Sequence, residues 1–97
     1  MRDEEQCAIK LDRDGFVSER RQGRTDFSNE DLSRTDLSGI DLSDLDLRGA
    51  NLRCSDLRGA DLTDANLRGA DLGYANLKDA NLTGADLTGA RSSNADL

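Results

Sequence analysis

The chain has 97 residues, which allows one domain at most. Three aromatics and 35% hydrophobic residues are too few for an ordinary globular core of that size. The net charge of −7 sits wholly on residues 25–97, which hold 14 acidic and 7 basic side chains, against six of each in residues 1–24. An acidic surface of this kind repels nucleic acid and anionic membranes and suits basic partners.

Residues 1–24 have no regular period. Cys7, Ile9 and Leu11 alternate, and Asp12-Arg13-Asp14-Gly15 has turn composition ahead of Phe16-Val17, which predicts an extended or hairpin segment. A helix over residues 3–11 competes with it. Ser18 to Gln22, closed by Gly23, suits one helical turn. The expected role of 1–24 is an N-terminal cap over whatever follows, because an open β edge invites association.

From Phe27 a bulky apolar residue recurs every fifth position to Leu97: 13 Leu, one Phe and one Ser in 15 positions. Five residues advance an α-helix by a net ~140°, which would scatter the leucines round the cylinder. On a straight strand an odd spacing sends successive leucines to opposite faces. A chain that buries every fifth residue must therefore bend once per five.

The neighbouring positions agree. Two before each Leu is usually a small residue, as in Ala50, Ala60, Ala65 and Ala70, and one before it is Asp or Asn. In–out–in alternation over these three residues predicts a short strand, with Ala and Leu inside and Asp or Asn in water. The next two residues suit a turn, as in Arg58-Gly59 and Thr83-Gly84. Four bends close a coil of 20 residues, and stacked coils pair at ~4.8 Å. Such a repeat is a solenoid, in which each unit contacts only its neighbours. The first coil is atypical, with Thr25, Glu30, Thr35, Ile40 and Leu45 in the alanine position. Glu30 at an inward position is a local conflict.

Residues 20 apart stack. The columns Asp41, Asp61, Asn81 and Asp44, Asp64 flank Ser43, Thr63, Thr83, where no basic residue stands. Asp41, Asp44, Asp61 and Asp64 are therefore the expected interaction face. Elsewhere Arg48, Arg53, Arg58, Arg68 and Lys78 can reach aspartates as weak surface pairs. Asn in each column limits repulsion and allows amide laddering. Tyr74 and Cys54 share an outward column with Arg34 and Asn94. The pattern runs to Leu97 without a closing segment, which makes Leu82, Leu87 and Leu97 candidates for end-on association. An end-to-end homodimer, a partner chain that continues the coil, or a natural continuation of this chain would each satisfy it.

Ala60-Asp61-Leu62-Thr63-Asp64, Ala65-Asn66-Leu67-Arg68-Gly69 and Ala80-Asn81-Leu82-Thr83-Gly84 resemble the signature of the pentapeptide-repeat family, and the resemblance covers residues 25–97. It implies an all-β fold: a right-handed quadrilateral parallel β-helix of about 3.6 coils, preceded by the non-repeat cap. It implies no catalytic residues and no cofactor. Some members resemble duplex DNA in shape and charge and bind DNA gyrase.

Two cysteines, Cys7 and Cys54, do not make a disulfide framework, and without histidine or a CxxC pair no zinc site is expected. No apolar run has leader or membrane-spanning length, so a cytoplasmic protein is expected. The expected function is a non-enzymatic structural or protein-interaction module with acidic faces. The alternative is a DNA mimic that binds gyrase or another type II topoisomerase. Aligned aspartates as acid–base or calcium groups are disfavoured, because a convex tube offers no shielded pocket.

Overall fold

The computed structural model describes residues 11–97. Parallel bridges join residue n to residue n+20, from Asp26 with Asp46 through Asn76 with Asp96. Fourteen complete pentads and the start of another thus fall into four stacks. The first contains 25–29, 45–49, 65–69 and 85–89; the second 30–34, 50–54, 70–74 and 90–94. The third contains 35–39, 55–59, 75–79 and 95–97; the fourth 40–44, 60–64 and 80–84.

The axis is as the spacing predicts. Phe27 and every fifth Leu from Leu32 to Leu67 are 0% exposed, while Leu72 and Leu77 reach only 2% and 3%. Ala50, Ala60, Ala65, Ala70 and Ala75 are buried beside them, as are Leu45, Thr35 and Ser55 in the same position. Burying one leucine contributes about 1.5–3 kcal/mol, so this line of side chains is the main source of stability. Burial fades where no further coil lies above: Leu82 is half-buried, Leu87 is 39% exposed and Leu97 74%.

Each corner is a β-turn. At most corners the N–H after the turn donates to the carbonyl that begins it, as Ala50 does to Leu47 at 3.1 Å. The third turn residue has φ between +57° and +73° in all fourteen complete pentads. That is the left-handed region a type II turn requires, which is why glycine stands there six times.

The predicted three-residue strand is instead a single-residue bridge. The turn takes two of every five residues, and only the central residue of the remaining three pairs on both its sides. Leu47 N–H donates to Asn66 O, and Asn66 N–H donates to Leu45 O. The aspartates and asparagines, expected simply to face water, have a structural task. In each of the 13 pentads from 25 to 89, the Asp or Asn Oδ1 accepts the backbone N–H two residues on, as in Thr63 to Asp61 at 3.0 Å. In an interior pentad such as 60–64, three of the five N–H groups bond to adjacent coils and one closes the turn. The side chain satisfies the fifth. The expected amide ladder is absent among the described residues, because Oδ1 is committed within its own pentad.

The ends differ from expectation in one respect. Asp12 to Gly15, expected as a turn, begins helix α1 (Arg13–Arg21). Asp12 is its N-cap, with Oδ1 accepting the Gly15 N–H at 2.8 Å. The helical turn expected at Ser18 to Gln22 is the second half of α1. The alternation through Cys7 and Ile9 and the helix expected over 3–11 lie outside the described residues.

Helix α1 packs on the start of the repeat. Phe16 is fully buried, with its ring centroid 4.7 Å from that of Phe27. The Arg24 guanidinium lies over Phe27 at 4.3 Å and pairs with Glu30 at 2.6 Å. This resolves the conflict at Glu30, whose carboxylate turns to the end of the tube and meets a cation there.

Candidate functional site

The candidate interaction residues share the fourth stack. Asp41 and Asp61 form a bridge pair. Asp44 and Asp64 occupy the left-handed turn position at φ +62° and +59°, which aspartate tolerates well. Gly84 lies directly against Asp64, so that a side chain there would displace the carboxylate. Asp41, Asp44 and Asp64 are exposed and Asp61 is half-exposed.

None of the four has an ion pair within this stack. Asp41 Oδ1 is fixed by the Ser43 hydroxyl at 2.6 Å and the Ser43 N–H at 2.9 Å. Those bonds, the hydroxyl first, hold the Asp41 carboxyl below its ordinary value, and nearby Arg20 adds a smaller push. Asp61 is fixed in the same way by Thr63. One oxygen of each carboxylate is occupied, and Oδ2 remains for a ligand.

In the other stacks several carboxylates are paired with arginines. Arg48 and Arg58 each make a two-point contact with the aspartate two residues back, with closest distances of 2.6 Å. Those bonds are the first cause of the lowered pKa at Asp46 and Asp56. Arg53 reaches Asp71 and Arg68 reaches Asp86 across coils at 3.3 and 3.4 Å. Arg13 of α1 pairs with Asp36 at 3.2 Å.

The end-on candidates also converge. Leu82, Leu87 and Leu97 line a cavity of about 170 Å³ with Leu72, Leu77, Ala90 and Ser92. Ser92 stands where the repeat calls for leucine, which widens that space.

Sequence reasoning missed one feature of the second stack. Its turn column holds Arg34, Cys54 and Tyr74, all with φ near +60°. Every other pentad fills this position with Gly, Asp or Asn. Tyr74 is 57% exposed, with the Arg53 guanidinium 5.6 Å above its ring, and Cys54 is a free exposed thiol. The tight turn at each site was legible, but the strain follows only from the observed φ. No cluster of metal-ligating side chains occurs among the described residues. No described helix is long and apolar enough to cross a membrane.

The model of pentapeptide repeats matches residues 31–69, 40–78 and 60–97, with eight copies. The chain belongs to the pentapeptide-repeat family. A pentapeptide-repeat protein of the cyanobacterium Cyanothece 51142 is 36% identical with a TM-score of 0.64, over 73% of this chain and 52% of that one. A pentapeptide-repeat protein of the Arabidopsis thaliana thylakoid lumen is 34% identical with a TM-score of 0.51, over 78% of this chain and 57% of that one. This chain therefore spans little more than half the length of either. No curated protein matches it. The pentapeptide-repeat match implies a right-handed β-helix solenoid, the architecture in which bridges 20 residues apart arise.

Proposed function

We propose that this chain is a non-enzymatic protein-interaction module whose fourth stack recognises a basic partner. We read residues 25–97 as a four-walled tube of about 3.6 coils with α1 closing its first coil. The observation that carries the reading is the contrast between walls. Asp36, Asp46, Asp56, Asp71 and Asp86 of the other stacks pair with arginines, whereas Asp41, Asp44, Asp61 and Asp64 have no cation in their stack, and only Arg20 of α1 comes near, at Asp41. Stacked carboxylates ~4.8 Å apart repel by about 1 kcal/mol in water-like surroundings, and a basic ligand relieves that cost. Because the wall is solvated and convex, it suits binding rather than acid–base catalysis.

The test is a set of Asn variants. Asp41→Asn and Asp61→Asn keep the Oδ1 that accepts the backbone N–H, and Asn tolerates the left-handed turn at 44 and 64. The quadruple variant therefore removes charge while keeping the fold. A control changes Asp26, Asp31, Asp36 and Asp86 to Asn, for the same change in net charge. Binding of a lysine-rich peptide, read by fluorescence anisotropy at low salt, should fall at least tenfold in the first variant and stay within twofold in the control. Equal losses in both would show that net charge alone is recognised and would remove the wall.

The second reading is a mimic of duplex DNA that fills the basic saddle of DNA gyrase or another type II topoisomerase. The regular stacking of carboxylates favours it. The tube is only ~17 Å long at strand spacing, about half of a ~34 Å duplex turn. A gyrase supercoiling assay decides it: no inhibition at tens of micromolar removes the mimic. The leucine-lined cavity around Leu82, Leu87 and Leu97 is the second contact surface in either reading, available to a second copy or a continuing chain. Mass measurement by light scattering over a concentration series tests the second copy.

A further inference from the structure

A groove runs between α1 and the first pentad of the fourth stack. Its described lining is Phe16, Val17, Ile40, Arg20, Arg21 and Asp41, and it encloses about 250 Å³. Pockets for drug-sized ligands run to about 300–1,000 Å³, so this one suits a single bulky side chain better than a cofactor. Its floor is apolar, formed by Phe16, Val17 and Ile40. Its rim carries two arginines on one side and Asp41 on the other.

The two arginines stand in the last turn of α1 and do not supply its C-cap hydrogen bonds. The carbonyls at the end of α1 are satisfied by backbone donors: Gln22 N–H to Ser18 and Glu19, Gly23 N–H to Arg20, and Arg24 N–H to Glu19. Arg21 makes no side-chain hydrogen bond or ion pair among the described residues. Arg20 has only a long 3.5 Å contact with Arg24 O. By contrast, Arg13, Arg24, Arg48, Arg53, Arg58 and Arg68 each hold a carboxylate. Among the described residues Arg20 and Arg21 thus hold no carboxylate in an ion pair, although Arg20 lies near enough to Asp41 to lower its pKa, and both stand beside an apolar groove.

We propose that this groove docks a partner segment carrying one bulky aliphatic or aromatic side chain next to a carboxylate. The side chain fills the socket over Val17 and Ile40, and the carboxylate meets Arg20 and Arg21. Apolar contact excludes water and strengthens the charge pairing beside it, the arrangement of interface anchors rich in arginine. Asp41 on the opposite rim sets polarity, because the segment must turn its acidic end away from the fourth stack. The inference shares only Asp41 with the acidic wall, which takes ligands of opposite charge.

The probe is a fluorescein-labelled, end-blocked peptide with a Glu-Leu-Glu centre in Gly/Ser flanks, measured by anisotropy against the full chain. It should bind. Replacing its Leu by Ala should weaken binding at least tenfold, and replacing both Glu by Lys should abolish binding at the groove. Arg21→Glu, at an exposed position, should weaken binding at least fivefold with an unchanged circular dichroism spectrum. Val17→Asp should abolish it. If Val17→Asp alters the spectrum, the Arg21→Glu result decides. No binding at millimolar peptide, or equal binding of the Leu and Ala peptides, overturns the proposal. So does self-association of the wild type that Arg21→Glu removes, since the occupant would then be a second copy. A variant with Asp44→Asn, Asp61→Asn and Asp64→Asn, which keeps Asp41 on the groove rim, must leave this binding within twofold, so failure at the groove and failure at the acidic wall are read separately.

Discussion

Asp41 is bridged to Asp61 one coil away, and each turns Oδ1 back onto the hydroxyl and N–H of the residue two places on, Ser43 or Thr63. The side chain that displays charge on the wall is therefore also the group that completes the backbone hydrogen bonding. The proposed binding and the fold would draw on different oxygens of the same carboxylate.

The cap predicts a graded effect at one position. Asn66→Ala removes the acceptor for the Arg68 N–H and should cost about 1 kcal/mol, whereas Asn66→Asp keeps it and should stay within about 0.5 kcal/mol. Urea unfolding followed by circular dichroism checks both. The converse holds at Arg91, which replaces the Asx residue ahead of Ser93. Arg91→Asn should raise the unfolding midpoint.

Relief of strain is expected in the second stack. Holding Cys54 at φ +61° costs roughly 1–2 kcal/mol of steric crowding. Glycine removes it and returns about 0.5–1 kcal/mol as entropy. Cys54→Gly should therefore stabilise the chain by a few tenths to 1 kcal/mol in thermal unfolding. A lower midpoint would mean that the thiol makes contacts worth more than the strain.

The axis tolerates no charge. Leu67 is 0% exposed, and Leu67→Ala should cost about 3 kcal/mol. Leu67→Asp buries an unpaired carboxylate and should abolish the folded circular dichroism spectrum.

Acid should weaken the fold in a defined window. Asp26, Asp36, Asp41 and Asp86 are lowered from 3.8, first by Ser or Thr hydroxyl bonds, and Asp46 and Asp56 by their arginines. A carboxyl depressed in the folded state stabilises above its unfolded value and loses that contribution as pH falls through the folded one. The contribution of these caps should hold from neutral pH down to 3.8 and decline below it, followed as the urea midpoint against pH. The Asn caps at 51, 66, 76 and 81 do not titrate, so the loss should be partial.

Much of the architecture was legible because one spacing dominates. A leucine every fifth residue from Leu32 to Leu87 admits neither helix nor straight strand, and the Ala beside it marks the inner wall. The role of the Asp or Asn was harder to read, although Asp-Leu-Ser and Asp-Leu-Thr carried the signal of an Asx turn. α1 was split in reading because Asp12-Arg13-Asp14-Gly15 has the composition of a turn. Asp12 is an N-cap, and N-caps and turns use the same side-chain chemistry. The groove was not legible, since it needs α1 placed over Ile40. The four carboxylates of the fourth stack were, since columns follow from the period of five together with the four-sided coil that the family resemblance implies.

Every column, wall and groove rests on residue n lying beside residue n+20. A disulfide tests this directly. In a Cys7→Ser background, Tyr74→Cys places a second thiol one coil from Cys54, at ~4.8 Å, within the Cα range a disulfide accepts. Mild oxidation of dilute protein should give an intramolecular bond, seen by intact mass and peptide mapping, while Asp79→Cys in the same background should remain reduced. Crosslinking at 79 but not at 74 would contradict the 20-residue register and the proposed binding surfaces with it.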